Sequence, residues 1–242
     1  MHHAEYTVRE SARAKHVRLK VSVYDGSLTV VVPRGFDRRQ IPQIVREKRR
    51  WLERARARIA SQRRQVGCEP TGVLPERVRL RAIDEEWELD YRPGSARSVF
   101  AAESAGAVLV VGGAVHETEA CREVLRRWVT AKARSNLVPW LAELSAEHGL
   151  AIGRTMVRAQ RTRWASCSRK GTVSINKKLL FVPAPLVEYV LVHELCHTVH
   201  FDHSPAFWAM VGERMPRYEQ LEAELRTAWR YVPTWMNGNH RA

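Results

Sequence analysis

None of the four cysteines, Cys68, Cys121, Cys167 and Cys196, stands in a C-x-x-C pair. That spacing argues against a cysteine-rich zinc ribbon, and four scattered thiols make no disulfide framework, so reduced cysteines are expected. Cys196 reads as a small buried hydrophobe rather than a ligand. No apolar run approaches the ~20 residues of a membrane span. The charged stretch Met1 to Arg13 contains no apolar signal segment, so a cytoplasmic protein without a membrane partner is expected. Internal repeats and low-complexity tracts are missing, which removes solenoids and propellers. Zinc-finger, RRM and KH signatures are missing as well.

Acidic residues are scarce. The 242 residues contain 40 Lys/Arg against 26 Asp/Glu, a net charge of +14. The excess is uneven, since residues 1–65 contain 17 Lys/Arg and six Asp/Glu. Such an asymmetry fits a polyanion partner, DNA or RNA first, and fits equally a solvated arginine-rich surface. Arg46, Arg50 and Arg54, at four-residue spacing on a helix, are the candidate nucleic-acid contacts.

What is present is chemistry in one short stretch, Val192-His193-Glu194-Leu195-Cys196-His197. On a helix, His193 and His197 project from one face a turn apart and can grip one Zn²⁺, with Glu194 turned towards a water. Leu186, Val187, Val190, Leu191, Leu195 and Val199 recur at three- and four-residue spacing, and Pro183 and Pro185 suit a helix start. Catalytic zinc sites take three protein ligands and leave one position open. His200 on a continued helix would lie roughly 10 Å along the axis from His193, too far to share its ion. His203 reaches back if the chain turns, and Ser204-Pro205 supplies an N-cap followed by proline at the first position of a new helix. His203 is therefore the expected third ligand, with Glu213 the runner-up. Metzincins share this ligand spacing but place glycine where this chain has His200.

These residues resemble those of the YgjP-like metallopeptidases, bacterial relatives of the SprT-like and WLM-type proteases. The resemblance rests on His193-Glu194-Leu195-Cys196-His197 through His203-Ser204-Pro205-Ala206-Phe207-Trp208. It rests equally on Arg163-Trp164-Ala165-Ser166-Cys167-Ser168 with Gly171, Val173 to Asn176 and Leu179-Leu180. A weaker similarity extends through Val30 to Arg34 and Arg46 to Trp51. Ala165 departs from the family's usual glycine, and Ile83 to Trp87 from its glycine turn. The resemblance implies a zinc peptidase acting on protein or peptide substrates. Because SprT-like proteases act on proteins bound to DNA, it also suggests substrates associated with nucleic acid. In zincins generally a strand beside the metal helix aligns the substrate, and Val173 to Asn176 is the expected strand.

The expected mechanism uses one Zn²⁺ per chain on His193, His197 and His203, with Glu194 as general base. Arg163, Asn176, His200 and Tyr218 are unranked candidates for transition-state or substrate contacts. Trp164, Phe207 and Trp208 read as packing, locking the turn that carries His203. Two rival functions remain: a nucleic-acid-binding protein with a structural zinc, and a catalytically silent zincin-fold interaction module.

The expected fold is α+β, a zincin-like core behind an N-terminal β-rich region with a basic helix. Residues 1–113 hold a hairpin around Asp25-Gly26, a basic amphipathic helix from Asp37 to Arg64 with Trp51 on its apolar side, a linker from Gly67 to Pro75, and strands near 78–83, 87–91, 98–101 and 108–111. Residues 114–242 hold a helix from Val115 to His148, strands at 155–160 and 171–175, and the metal, Pro205–Glu213 and Pro216–Trp229 helices.

Overall fold

Alternation in Leu28-Thr-Val-Val-Val32 builds the centre of a small sheet. The computed structural model describes residues 6–67 and 73–237, and in it β1 (Tyr6–Glu10), β2 (Arg18–Val21) and β3 (Leu28–Val32) are ordered β1-β3-β2. β2 and β3 form the expected antiparallel hairpin. At its turn Asp25 Oδ1 accepts from the Ser27 N–H at 3.1 Å, and Gly26 takes φ +70°. Sequence reading did not find β1, which pairs in parallel with β3. Leu28, Val30 and Val32 bury against Ile41, Val45 and Leu52. The single helix expected from Asp37 to Arg64 is instead α1 (Ile41–Glu47) and α2 (Arg49–Gln65), interrupted at Lys48, whose ψ of 9° closes one helix and opens the next. Trp51, expected on the apolar side, is 41% exposed.

The chain divides into two compact units, Met1–Thr71 with Trp229–Thr234, and Gly72–Ala228 with Trp235–Ala242. In the first, Tyr24 meets Trp229 edge-on at 5.6 Å and Arg63 Nη1 donates to the Val232 carbonyl at 3.0 Å, which explains why a C-terminal segment belongs there. Of the linker expected at Gly67 to Pro75, residues 68–72 lie outside the described residues.

The second unit begins with β4 (Arg77–Leu80), β5 (Glu85–Pro93), β6 (Val99–Ser104) and β7 (Val108–Gly113), ordered β4-β5-β7-β6 with β5 and β7 parallel. Then comes α3 (Thr118–Glu147), which buries Cys121, Val124, Leu125, Trp128, Val129, Leu137, Leu141 and Leu144 at helical spacing. Trp128 packs edge-on to Trp87 at 5.5 Å, and Lys132 pairs with Glu85 at 2.7 Å. These contacts join the four-stranded sheet to the long helix, so β4 to β7 belong to the second unit, where a boundary at 113/114 was expected.

β8 (Thr155–Arg158), β9 (Ala165–Cys167) and β10 (Val173–Asn176) form the third sheet, ordered β8-β10-β9. α4 (Ala184–Cys196), α5 (Pro205–Arg214) and α6 (Tyr218–Leu225) follow. The architecture is α+β, and α4 is buried along nearly its whole length. No helix among the described residues is long and apolar enough to cross a membrane. Cys121, Cys167 and Cys196 are free thiols.

Candidate functional site

α4 carries His193 and ends at Cys196, leaving His197 at its C-terminus. The chain then turns through residues 198–203, and Ser204 caps α5 by accepting from the Phe207 N–H at 3.4 Å, with Pro205 at the first helical position. Asp202 tightens the turn by accepting from the Ser204 N–H at 3.2 Å. His203 is thereby folded back on the helix it follows. The ligand nitrogens of His193, His197 and His203 lie within 4.8 Å of one another, and His203 Nε2 sits 3.2 Å from His193 Nε2.

This donor set fits a divalent metal. Bonds of 2.0–2.1 Å at tetrahedral angles put two ligating nitrogens about 3.3 Å apart. Burial, with His197 and His203 alongside, holds His193 at a pKa of about 3, so its imidazole is neutral and able to ligate. His197 is also held below the ordinary histidine value, chiefly by burial. Its Nδ1 lies 2.8 Å from the His200 carbonyl, which fixes the ring and leaves Nε2 for the site. His193 Nδ1 is buried without a partner among the described residues. Three protein ligands leave a fourth tetrahedral position for a reactant. Glu213 is outside the cluster, 77% exposed and 3.7 Å from Arg214 Nη1.

Aromatic rings surround the triad. Phe207 is fully buried, stacks on His197 at 4.4 Å and meets His193 and His203 at 4.9 and 5.0 Å. Trp208 stacks on His203 at 5.6 Å, and Tyr218 stacks on Trp208 at 5.4 Å. Phe207 and Trp208 therefore pack the turn, and Tyr218 buttresses Trp208.

Glu194 faces the third sheet. Burial pushes its carboxyl up to about 7, opposed by the Cys167 backbone N–H, which donates to it, and by the Arg163 charge. A carboxyl poised near neutrality can accept and return a proton. The Cys167 N–H is free to do this because of strand register. Ser168 N–H bonds Thr172 O and Asn176 N–H bonds Trp164 O, so even-numbered residues of β9 face β10 and the backbone groups of Ala165 and Cys167 point away from it. β9 was missed in the sequence, and it, rather than Val173 to Asn176, is the edge strand beside Glu194. β10 pairs with β8 on one side and β9 on the other, so it has no edge for a substrate, whereas β9 is an edge strand.

The other candidates separate. Asn176 is fully buried, and its Nδ2 donates to the carbonyls of Gln160 at 2.9 Å and Arg163 at 2.8 Å while Oδ1 accepts from the Lys178 N–H at 3.1 Å. Its amide is committed to holding the 159–164 loop, which corrects the expectation of a substrate contact. His200 contributes its carbonyl to His197. Arg163 is exposed beside Glu194, and Trp164 is buried. Arg46, Arg50 and Arg54 lie in the other unit, all exposed; Arg46 is on α1, and the break at Lys48 separates it from the pair on α2.

A family model described as YgjP-like, metallopeptidase domain, matches residues 15–228. No curated protein matches the chain. Among solved structures the chain is similar to the crystal structure of the metallopeptidase zymogen of Pyrococcus abyssi abylysin, with 26% identity over 36% of this chain and 89% of that one and a TM-score of 0.34.

Proposed function

Because the chain belongs to the YgjP-like metallopeptidase domain family, we propose that it is a zinc-dependent peptidase whose metal is held by His193, His197 and His203 and whose general base is Glu194. The observation that carries this reading is the convergence of three imidazoles one residue from a buried carboxylate. Bound Zn²⁺ would supply Lewis acidity, polarising the scissile carbonyl and lowering the pKa of a water. Glu194 accepts the proton of the attacking water and returns it to the leaving amine, work typically worth ~10²–10⁴-fold in rate. The outward N–H and C=O of Ala165 and the outward C=O of Cys167, whose own N–H is bonded to Glu194, align an extended substrate along β9. Of Arg163, His200 and Tyr218, Arg163 is favoured to steady the developing oxyanion because its charge acts at Glu194.

The test is metal content and peptide hydrolysis of the zinc-loaded protein beside Glu194→Gln, His203→Ala and Glu213→Ala. Glu194→Gln keeps one equivalent of zinc and loses hydrolysis, His203→Ala loses zinc, and Glu213→Ala keeps both. Full activity in Glu194→Gln would refute the mechanism. Zinc binding without hydrolysis of any protein by the wild type would favour a silent zincin-fold module or a nucleic-acid-binding protein with a structural zinc.

A second function, nucleic-acid binding, is favoured by where the charge lies. The unit made of Met1–Thr71 and Trp229–Thr234 has 18 Lys/Arg against seven Asp/Glu, which accounts for +11 of the chain's +14. Among its described acids, Glu10 sits 3.8 Å from Arg38, Glu53 pairs with Arg49 at 2.8 Å, and Glu47 accepts from Gln43 at 3.1 Å. Phosphate contacts through this unit would bring the peptidase to substrates carried on DNA or RNA.

A further inference from the structure

Residues 148–187 contain eight Lys/Arg and no Asp or Glu. Lys177 and Lys178 are buried, leaving six exposed bases, Arg154, Arg158, Arg161, Arg163, Arg169 and Lys170, in and around the sheet beside α4. Among the described residues none of the six forms an ion pair. They are not scattered. Arg158 is in register with Asn176, and the Asn176 amide pins the loop carrying Arg161 and Arg163, so these three lie at the C-terminal end of β10. Arg169 and Lys170 form the turn into β10, and Arg154 adjoins them because the Val173 N–H bonds its carbonyl and Gly153 bonds Gly171. The two basic groups are separated by the length of β10, four residues or about 13 Å at 3.3 Å per residue. Between them runs the outer edge of β9, on which the Cys167 N–H is bonded to Glu194.

Resting on the peptidase reading of this site, we infer that the substrates are acidic peptide segments, with carboxylates flanking the scissile stretch and about four residues apart. A chain laid along β9 carries neutral side chains past Glu194 and meets arginines or lysine at both ends. Arg161 and Arg163 at one end of β9 and Arg169 and Lys170 at the other are fixed by the sheet rather than on a flexible arm, whereas Arg154 and Arg158 belong to β8 at its opposite edge, so the former four select the spacing of the carboxylates as well as their sign. A peptide fits this arrangement better than a nucleic acid, because the two groups bracket the edge strand and its catalytic carboxyl instead of forming one continuous track.

The test uses the full zinc-loaded protein and three quenched fluorescent peptides with one neutral three-residue centre flanked by Glu, Gln or Lys on both sides. Exposed charge pairs contribute about 0.2–1 kcal/mol each, roughly a 1.4–5-fold effect. The Glu-flanked peptide should exceed the Gln-flanked one by about tenfold in kcat/KM, with the Lys-flanked peptide slowest and the differences shrinking as salt rises. Arg161→Gln, and separately Arg169→Gln with Lys170→Gln, should each reduce the Glu-to-Gln ratio. That ratio cancels general damage to the enzyme. The binding of labelled peptides to zinc-loaded Glu194→Gln provides a readout without turnover. Cleavage with equal rates overturns the inference and leaves the peptidase. Acid-selective binding without cleavage supports the inference and counts against the peptidase. No preference in either measurement overturns it. A DNA duplex that displaces the Glu-flanked peptide, and loses its own affinity in the same variants while the peptide ratio is unchanged, assigns the bases to nucleic acid and also overturns it.

Discussion

Replacing Asn176 with alanine should unfold the edge of the candidate site before it touches the metal. The side chain has no exposed surface and makes three hydrogen bonds, two donated to the carbonyls of Gln160 and Arg163 and one accepted from the Lys178 N–H. At about 1 kcal/mol net for each bond, the loss is about 3 kcal/mol, and more where a buried carbonyl is left without a donor. Asn176→Asp separates this role from a catalytic one. One carboxylate oxygen still accepts from Lys178, but the other faces two carbonyl oxygens with a buried charge, so aspartate should cost at least as much as alanine. Urea unfolding of the zinc-loaded protein measures the stability change, and metal analysis should show one equivalent of zinc in both variants. A loss below about 1 kcal/mol in Asn176→Ala, accompanied by a large fall in kcat, would refute the scaffolding role and return the amide to the reacting groups.

Changing Arg46, Arg50 and Arg54 together to glutamine should weaken binding to a random-sequence duplex and flatten its dependence on salt; binding that is absent at low salt or unaffected by the change leaves that charge as ordinary surface. Lys178 yields a prediction about pH. Burial, aided by Lys177 and Arg161, lowers its pKa from 10.5 to about 8. The folded state therefore holds fewer protons than the unfolded state between these values, and wild-type stability gains as pH rises through that window, by about 3 kcal/mol at most. Lys178→Met lacks this gain, so the stability difference between wild type and variant, measured by unfolding at pH 7 and at pH 10.5, should move in favour of wild type at the higher pH; a difference that stays flat excludes the effect.

The parts of the site legible in the sequence are those whose physics is local. The spacing of His193 and His197 follows from helical period, and Ser204-Pro205 announces a new helix because a capping oxygen and a ring without an N–H suit its first turn. Those two signals were enough to choose His203 over Glu213 as the expected ligand; the ligand nitrogens of His193, His197 and His203 lie within 4.8 Å of one another. β9 had no such signal. Ala165-Ser166-Cys167 contains no β-branched or aromatic residue, and it is a strand only because the Trp164–Asn176 and Ser168–Thr172 pairs hold it against β10. The break at Lys48 carries neither glycine nor proline, and β1 joins its sheet through parallel pairing with a strand about twenty residues away.

Asn176 shows why residue type and position were insufficient to assign a role. An asparagine at the end of a strand near a metal helix has the chemistry of an oxyanion donor, and only the path of the 159–164 loop decides where its two N–H groups go. Once that loop crosses the end of β10, the Gln160 and Arg163 carbonyls need donors, and the asparagine supplies both. The same crossing carries Arg161 and Arg163 to the site and sends the following residues down the free edge as β9. The asparagine is therefore a scaffold for the loop that leads into β9. A substitution at Asn176 that preserves the fold should then change how substrates bind along β9, seen in KM, before it changes the proton transfer at Glu194.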